Sequence, residues 1–379
     1  MAVALRSWLF ALSLCVSRAR VSKRTERNAT AGRKSAYERH YLSICTLVAM
    51  RYEADYLLEW VAWHLLVGFA RFYIYLDDRE RTGAGGADTD GAFERRSKLV
   101  LDALKRQSNV TVFSMRKVGV HTQKQQLEHC SGIARRQSVW MANWDVDEAP
   151  ALGDPPSVKR DRQSVPSVAM LLSKLPSRFV GVIVPRVVFG CAEHMQPLAQ
   201  GSLALETFAR RACDQSLHGG GKIIWRSDHL GQMARVRPAG CHALFAARRS
   251  AICTADGTEV GEWQTTSSSS SEGIGSSGGA MVNGSSPILT AAARAMRLHH
   301  LAVRSRAECE SKATDATNGT LFVNARGVNN WWRGNASWFC EVLCPRRTTK
   351  SWCPAGKTDR SLAQYAGVLR RRRREMQGL

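Results

Sequence analysis

The chain has 379 residues, 44% of them hydrophobic, and carries 54 basic against 32 acidic side chains for a net charge of +22. That length and apolar content exclude a disordered chain and leave room for one large domain or two. The charge suits nucleic acid, an anionic membrane or a phosphorylated ligand; with no zinc-finger spacing or nucleic-acid-binding motif beside it, no nucleic-acid partner is expected.

At the amino end, Arg6 precedes the apolar run Ser7–Val16. A run of ten residues suits a signal peptide or a short signal anchor over residues 1–20, and falls short of the roughly 20 that span a bilayer. Residues 21–40 are polar, charged and aperiodic, and read as a stem. Sequons at Asn28, Asn109, Asn283, Asn318 and Asn335 agree with a secretory route. So do the 11 cysteines, an even number once Cys15 leaves with a signal peptide. Cys340, Cys344 and Cys353 crowd together, where a local disulfide is expected rather than a zinc site.

The ordered part opens with Tyr41–Met50, an apolar run of the kind that forms a strand covered on both faces. Glu53–Leu66 has helical periodicity, begins with acidic residues and stops at Gly68. Arg71–Leu76 reads as a second strand, Gly83–Gly91 as a loop and Phe93–Gln107 as an amphipathic helix. A third strand over Val110–Met115, a helix over Gln123–Gln137 and a fourth strand over Val139–Trp144 follow. This alternation predicts an α/β domain, Rossmann-like, with a mainly parallel sheet flanked by helices. No glycine-rich dinucleotide fingerprint follows the first strand and no P-loop occurs, which argues against nicotinamide, flavin and P-loop ATPase chemistry.

Beyond Pro150 the pattern weakens. Pro155–Pro166 reads as a polar loop, Ser167–Leu175 as a short helix and Phe179–Val188 as one strong strand. Thr265–Ser286, rich in Ser and Gly, reads as a low-complexity insertion, and residues 346–379 as a basic tail containing Arg370–Arg374. Trp331 and Trp338 fit core packing better than sugar stacking.

The most informative stretch is Trp140–Pro150, an apolar strand that breaks into Asp145, Asp147 and Glu148. In an extended chain, residues two apart share a face, so Asp145 and Asp147 are expected to converge. Converging carboxylates repel unless a cation lies between them, and a hard divalent ion, Mg²⁺ or Mn²⁺, suits such oxygen ligands. Ligands of open α/β sheets bind just beyond the strands' carboxyl ends.

With these pieces in order, the chain resembles glycosyltransferase family 92 and its family 2-like relatives. The resemblance begins at Ile44-Cys45-Thr46, runs through Glu53 to His64 and continues in Phe72 to Asp78. It resumes at His129-Cys130 and at Trp140 to Glu148, then at Phe189-Gly190, His194, Pro197, Gly201 and Glu206-Thr207-Phe208. Lys222-Ile223-Ile224, His242, Leu298-His299-His300 and Arg304-Ser305 complete it, so the blocks keep family order from about residue 43 to 312. The chain departs from the family at Arg51-Tyr52, in place of Lys-Asn, and at Ala149, Leu301 and Arg304, in place of Phe, Tyr and Lys.

The resemblance implies a single GT-A catalytic domain over residues 41–345. It also implies transfer of a hexose, galactose first among them, from a UDP-sugar to a glycan acceptor with inversion. Asp145 and Asp147 would hold Mn²⁺ or Mg²⁺ against the diphosphate, with His300, or else His299, as a further ligand. Glu53, Asp55 and Asp78 are expected near the nucleotide, Lys222 and Arg226 on its phosphates, and Glu206 as the general base, with Glu193 and Glu148 behind it. The structural alternatives are a buried hydrogen-bonded histidine, an acidic first helical turn for Glu53 and Asp55, and solvated cations for Lys222 and Arg226. Such an enzyme would work in the secretory pathway, in the Golgi lumen or at its membrane, or be secreted. A secreted glycan-binding protein or inactive pseudo-glycosyltransferase on the same fold is the alternative function.

Overall fold

Strand β1 (His40–Val48) is buried without a break from Leu42 to Val48, as a strand must be when neighbours flank it and helices cover both faces. The structure is a computed structural model and describes residues 39–77, 91–153, 165–191, 194, 196–199, 201–209, 211, 221–227, 251–262, 292–301, 304–317, 340 and 359–379. Contacts divide the chain between Arg39 and His40, and residues 40–379 form one compact unit.

After β1 come α1 (Met50–Leu66), β2 (Arg71–Leu76), α2 (Ala92–Lys105), β3 (Val110–Ser114), α3 (Gln123–Gln137) and β4 (Ser138–Asn143). β5 (Glu148–Leu152), α4 (Val168–Ser173), β6 (Phe179–Val184), β7 (Arg186–Val188), α5 (Ala204–Thr207) and β8 (Lys222–Arg226) follow. β9 (Ala251–Thr254), β10 (Glu259–Glu262), β11 (Met296–His300), α6 (Arg306–Thr317), a 3₁₀ turn (Ala363–Tyr365) and α7 (Ala366–Gln377) complete the described elements.

The sheet is ordered β10-β9-β6-β8-β4-β1-β2-β3. β4, β1, β2 and β3 run parallel, and β2, β3 and β4 are each reached through a helix, because a parallel return needs a crossover. β8 lies antiparallel between β4 and β6, β9 runs parallel to β6, and β10 is antiparallel to β9. A second sheet, β5-β11-β7, stands beside it. The chain is therefore α/β, with a large mixed sheet flanked by helices, compatible with a Rossmann-like fold.

The expected alternation through β4 is present. α1 starts three residues earlier than Glu53 and ends before Gly68, whose φ of 100° suits the residue that follows a helix. The single strand expected over Phe179–Val188 is two strands in different sheets, because Pro185 has no N–H for a ladder. The carbonyl of Pro185 instead accepts from Leu298 N–H at 2.8 Å. The basic tail contains α7, whose Ala366, Leu369 and Met376 are buried. Cys340 bonds to Cys309, in α6, rather than to a neighbour in its own cluster, and Cys45–Cys130 ties β1 to α3. Cys253 is free and buried, against the expectation of complete pairing. The Gly83–Gly91 loop up to its last residue, most of the polar loop, Thr265–Ser286, Trp331, Trp338 and the amino-terminal segment lie outside the described residues.

Two indoles of α1 clasp the second sheet: Trp60 Nε1 donates to Glu148 O and Trp63 Nε1 to Pro150 O, both at 3.0 Å. Between them and β4, the His64 ring lies 4.2 Å from Trp60, 5.1 Å from Phe69 and 5.8 Å from Trp144, centroid to centroid. Its Nδ1 pairs with Trp60 O at 2.7 Å. Burial pushes the His64 imidazole down to about 3, so the folded chain keeps it neutral where the unfolded chain, with an ordinary value of 6.5, takes up a proton. Stability from this site is complete above pH 6.5 and falls as pH drops towards 3, by about 1.4 kcal/mol per unit at most. Thermal melts from about pH 7.5 to 4 should show the wild type losing ground to His64→Gln on acidification; a constant difference between the two would refute the buried neutral state.

Candidate active site

β4 ends at Asn143, although Trp144 N–H still donates to Cys45 O of β1 at 3.2 Å. The chain then turns. Glu148 N–H donates to Asp145 O and Asp145 N–H to Glu148 Oε2, each at 3.0 Å. From Glu148 onward the backbone belongs to β5, so the acidic residues occupy the turn that passes from one sheet to the other. The turn stands beyond the carboxyl end of a parallel strand, the usual place for a ligand in this architecture.

Among the described residues, Asp145 and Asp147 do not share a partner. Asp145 Oδ2 accepts from Lys222 Nζ at 2.7 Å, and the same ammonium is 2.9 Å from Glu148 Oε2. Lys222 opens β8, whose antiparallel register with β4 pairs Ala142 with Ile224 and brings the lysine alongside the turn. Its side chain is 2% exposed. Burial works against its charge, yet the carboxylates of Asp145 and Glu148 outweigh burial and hold the ammonium above its ordinary range. Arg186 Nη1 stands 3.8 Å from Glu148 Oε1.

Asp147 turns to the other sheet. Leu301 N–H donates to its carbonyl at 2.7 Å, and His300 Nε2 lies 3.5 Å from its Oδ2. Burial alone would raise the Asp147 carboxyl, but His300, Arg304 and Lys312 hold it well below the usual carboxylate range. Asp147 Oδ1 and His300 Nδ1 are buried with no hydrogen-bond partner among the described residues. Arg304 is 1% exposed. Its guanidinium lies 3.8 Å over the Tyr56 ring, and its Nη1 donates to Glu308 Oε1 at 3.3 Å. Its Nε and Nη2 have no hydrogen-bond partner among the described residues. Glu53 Oε2 accepts from Ala49 N–H at 2.7 Å, closing the first turn of α1 from within, as the acidic residue of a capping box does. Burial pushes the Glu53 carboxyl up to about 8 against the pull of Lys312 and Arg304, with Asp147 adding to the rise.

The remaining candidates are scattered. His299, one residue along β11, points the other way and stacks on Phe189 at 4.3 Å; burial pushes it down to about 3. Asp55 pairs with Arg96 at 3.2 Å on a half-exposed surface. Arg226 sits opposite Trp140, four residues along β8 from Lys222 and so about 13 Å away. The Glu206 carboxylate, in α5, is engaged by Arg370 of α7. The amino end of α5 is itself held by buried Glu59, which accepts from Ala204 and Leu205 N–H at 2.9 Å each. Asp78, Glu193 and His242 lie outside the described residues. Sequence reasoning does not single out Glu59 or Lys312. The signal for Glu59 is a carboxylate at a buried position of α1, but sequence names no partner for it.

Among the described residues no group of three His, Cys, Asp or Glu side chains could by itself hold a metal ion. Asp147 and His300 nevertheless fit two positions of a divalent cation's shell. Their facing atoms are further apart than a good hydrogen bond, the carboxylate is ionised, and Mg²⁺-like ions commonly take one or two protein ligands and complete the shell with phosphate and water. No family model matches the chain, and no curated protein matches it significantly.

Replacing Lys222 tests the electrostatic pin. Lys222→Met leaves buried Glu148 and Asp145 without their shared cation, and urea unfolding should register a loss of about 3–5 kcal/mol. A loss under about 1 kcal/mol would mean that the turn is held by its backbone alone.

Proposed function

We propose that the chain is a metal-dependent hexosyltransferase of the GT-A kind, taking a UDP-sugar as donor and a glycan as acceptor. The observation that carries this reading is the group formed by Asp147, His300 and Arg304. There, a low-pKa carboxylate, an imidazole and a buried guanidinium retain unpartnered polar atoms among the described residues, beyond the carboxyl end of a parallel strand. A cation bound to Asp147 and His300 would supply electrophilic stabilisation of the departing diphosphate. Arg304 would add N–H donors suited to phosphate oxygens. Burial raises the Glu53 carboxyl, which works against a second negative charge beside an anionic donor. Asp145 is positioned by Lys222, and its role in this reading is to shape the turn. Glu206 would have to leave Arg370 before it could accept a proton from an acceptor hydroxyl.

The Cys45–Cys130 and Cys309–Cys340 disulfides support an oxidising compartment, in keeping with a Golgi-type secretory setting and an anchor or cleaved signal before the compact unit. A second reading, a glycan-binding protein or pseudo-glycosyltransferase without turnover, is favoured by two contacts: Lys222 on Asp145 and Arg370 on Glu206.

A donor screen separates the two. Individual UDP- and GDP-sugars, with and without Mn²⁺, should show nucleoside diphosphate release from one donor, dependent on metal. Asp147→Asn should lower the rate about 100-fold or more, the scale of removing one electrostatic stabiliser. His300→Ala should weaken Mn²⁺ activation in the same assay. Folded protein that releases no nucleotide and binds neither UDP nor Mn²⁺ in calorimetry would eliminate the transferase reading.

A further inference from the structure

The arginine run at the carboxyl end does not trail away from the fold. α7 packs its Ala366, Leu369 and Met376 inward and presents Arg371 and Arg374 to solvent. Its end is fastened to α2, because Gln377 O accepts from Arg106 Nη2 at 3.2 Å and Met376 O from Gln107 Nε2 at 3.5 Å. α2 is itself basic outward: Arg95, Lys98 and Arg106 are exposed. Residues 92–106 and 366–377 together hold ten basic against three acidic side chains, Glu94, Asp102 and Glu375; Arg372 pairs with Glu375, and Arg96 and Arg370 pair with Asp55 and Glu206 from outside these helices.

A large apolar side chain protrudes from this basic flank. Leu99 is 71% exposed and falls one turn after Arg95 and two turns before Arg106, on the same side of α2. A protruding leucine among basic side chains suits the headgroup region of an anionic bilayer. A soluble polyanion would satisfy the arginines and leave Leu99 in water.

α2 runs from the carboxyl edge of the parallel strands, where Arg96 meets Asp55 of α1, to the amino edge at Lys105 and Arg106, so the flank lies along the side of the sheet.

We propose that the α2–α7 flank docks on an anionic lipid surface. The inference does not depend on the transferase reading. Hydrogen exchange of the full chain, followed with and without vesicles, tests it. Phosphatidylserine-containing vesicles should slow exchange in residues 92–106 and 366–379 at least about threefold, phosphatidylcholine vesicles should not, and about 0.5 M salt should remove the effect. The variant L99E/R371E/R374E, checked for unchanged circular dichroism, should lose the protection. A milder variant, Leu99→Ser, should weaken it while keeping every charge. Absence of added protection on anionic vesicles would overturn the proposal. Equal protection by a sulfated polysaccharide, unaffected by Leu99→Ser, would overturn it too and assign the flank to a soluble polyanion.

Discussion

One buried ammonium decides how the acidic turn is built. Lys222 Nζ lies 2.7 Å from Asp145 and 2.9 Å from Glu148 while its side chain is almost wholly out of water. An ion so placed is costly unless its partners are ionised and close, so the three groups must move as one. Because Lys222 belongs to β8, and β8 is inserted antiparallel between β4 and β6, the mixed character of the sheet is part of the same device. A fifth parallel strand at that place would present a different end to the turn. With Asp145 and Glu148 fixed, the backbone between them leaves Asp147 facing the second sheet, where His300 and Arg304 meet it electrostatically.

The two aspartates of the motif thus reach different environments, and the reason explains what sequence could and could not foretell. The spacing argument holds for an extended chain, but the strand ends at Asn143, and in a turn a separation of two no longer means a shared face. The alternating strands and helices before it were readable, since their apolar runs and periodicities are local. The break at Pro185 was available from the residue itself. That the strand after it would join another sheet was not, because β7 pairs with β11, a strand from a distant part of the chain. The same limit applies to Cys309–Cys340, to Glu59 beneath α5, and to Arg370 on Glu206: each residue was visible, and its partner was set by tertiary packing. Arg226 illustrates the converse. It shares a strand and a charge with Lys222, and the antiparallel register carries it to the far end.

The histidines show how burial sorts chemically equal groups. His64 is enclosed by aromatic rings, His299 stacks on Phe189, and desolvation pushes both below the ordinary imidazole range. His300 follows His299 directly, yet strand alternation turns it out of the aromatic core and towards Asp147. An Asp147 contact on one face and a Phe189 stack on the other therefore need no more than two adjacent residues of β11. The two indole bonds from α1 to Glu148 O and Pro150 O hold β5 in register beside it, so the helix that follows β1 also sets the depth of the site.

The group around Asp147 is energetically unfinished in the chain by itself. Buried polar atoms without partners cost roughly 1–3 kcal/mol each, and Asp147 Oδ1, His300 Nδ1 and two guanidinium nitrogens of Arg304 are in that condition among the described residues. Lys222 stands in contrast, with both of its carboxylates in place. On the same turn, then, Lys222 binds one carboxylate oxygen each of Asp145 and Glu148, while Asp147, His300 and Arg304 keep polar atoms of both signs unmatched among the described residues; Glu148 Oε1, with Arg186 3.8 Å away, is unmatched too. The donors and acceptors left over are of both signs. A lone cation would satisfy Asp147 and leave Arg304 unserved, and a lone anion would do the reverse. A divalent ion carried on a diphosphate would answer both at once, and it is this pattern of unsatisfied atoms, more than the Asp-x-Asp spacing, that supports the proposed transferase reading.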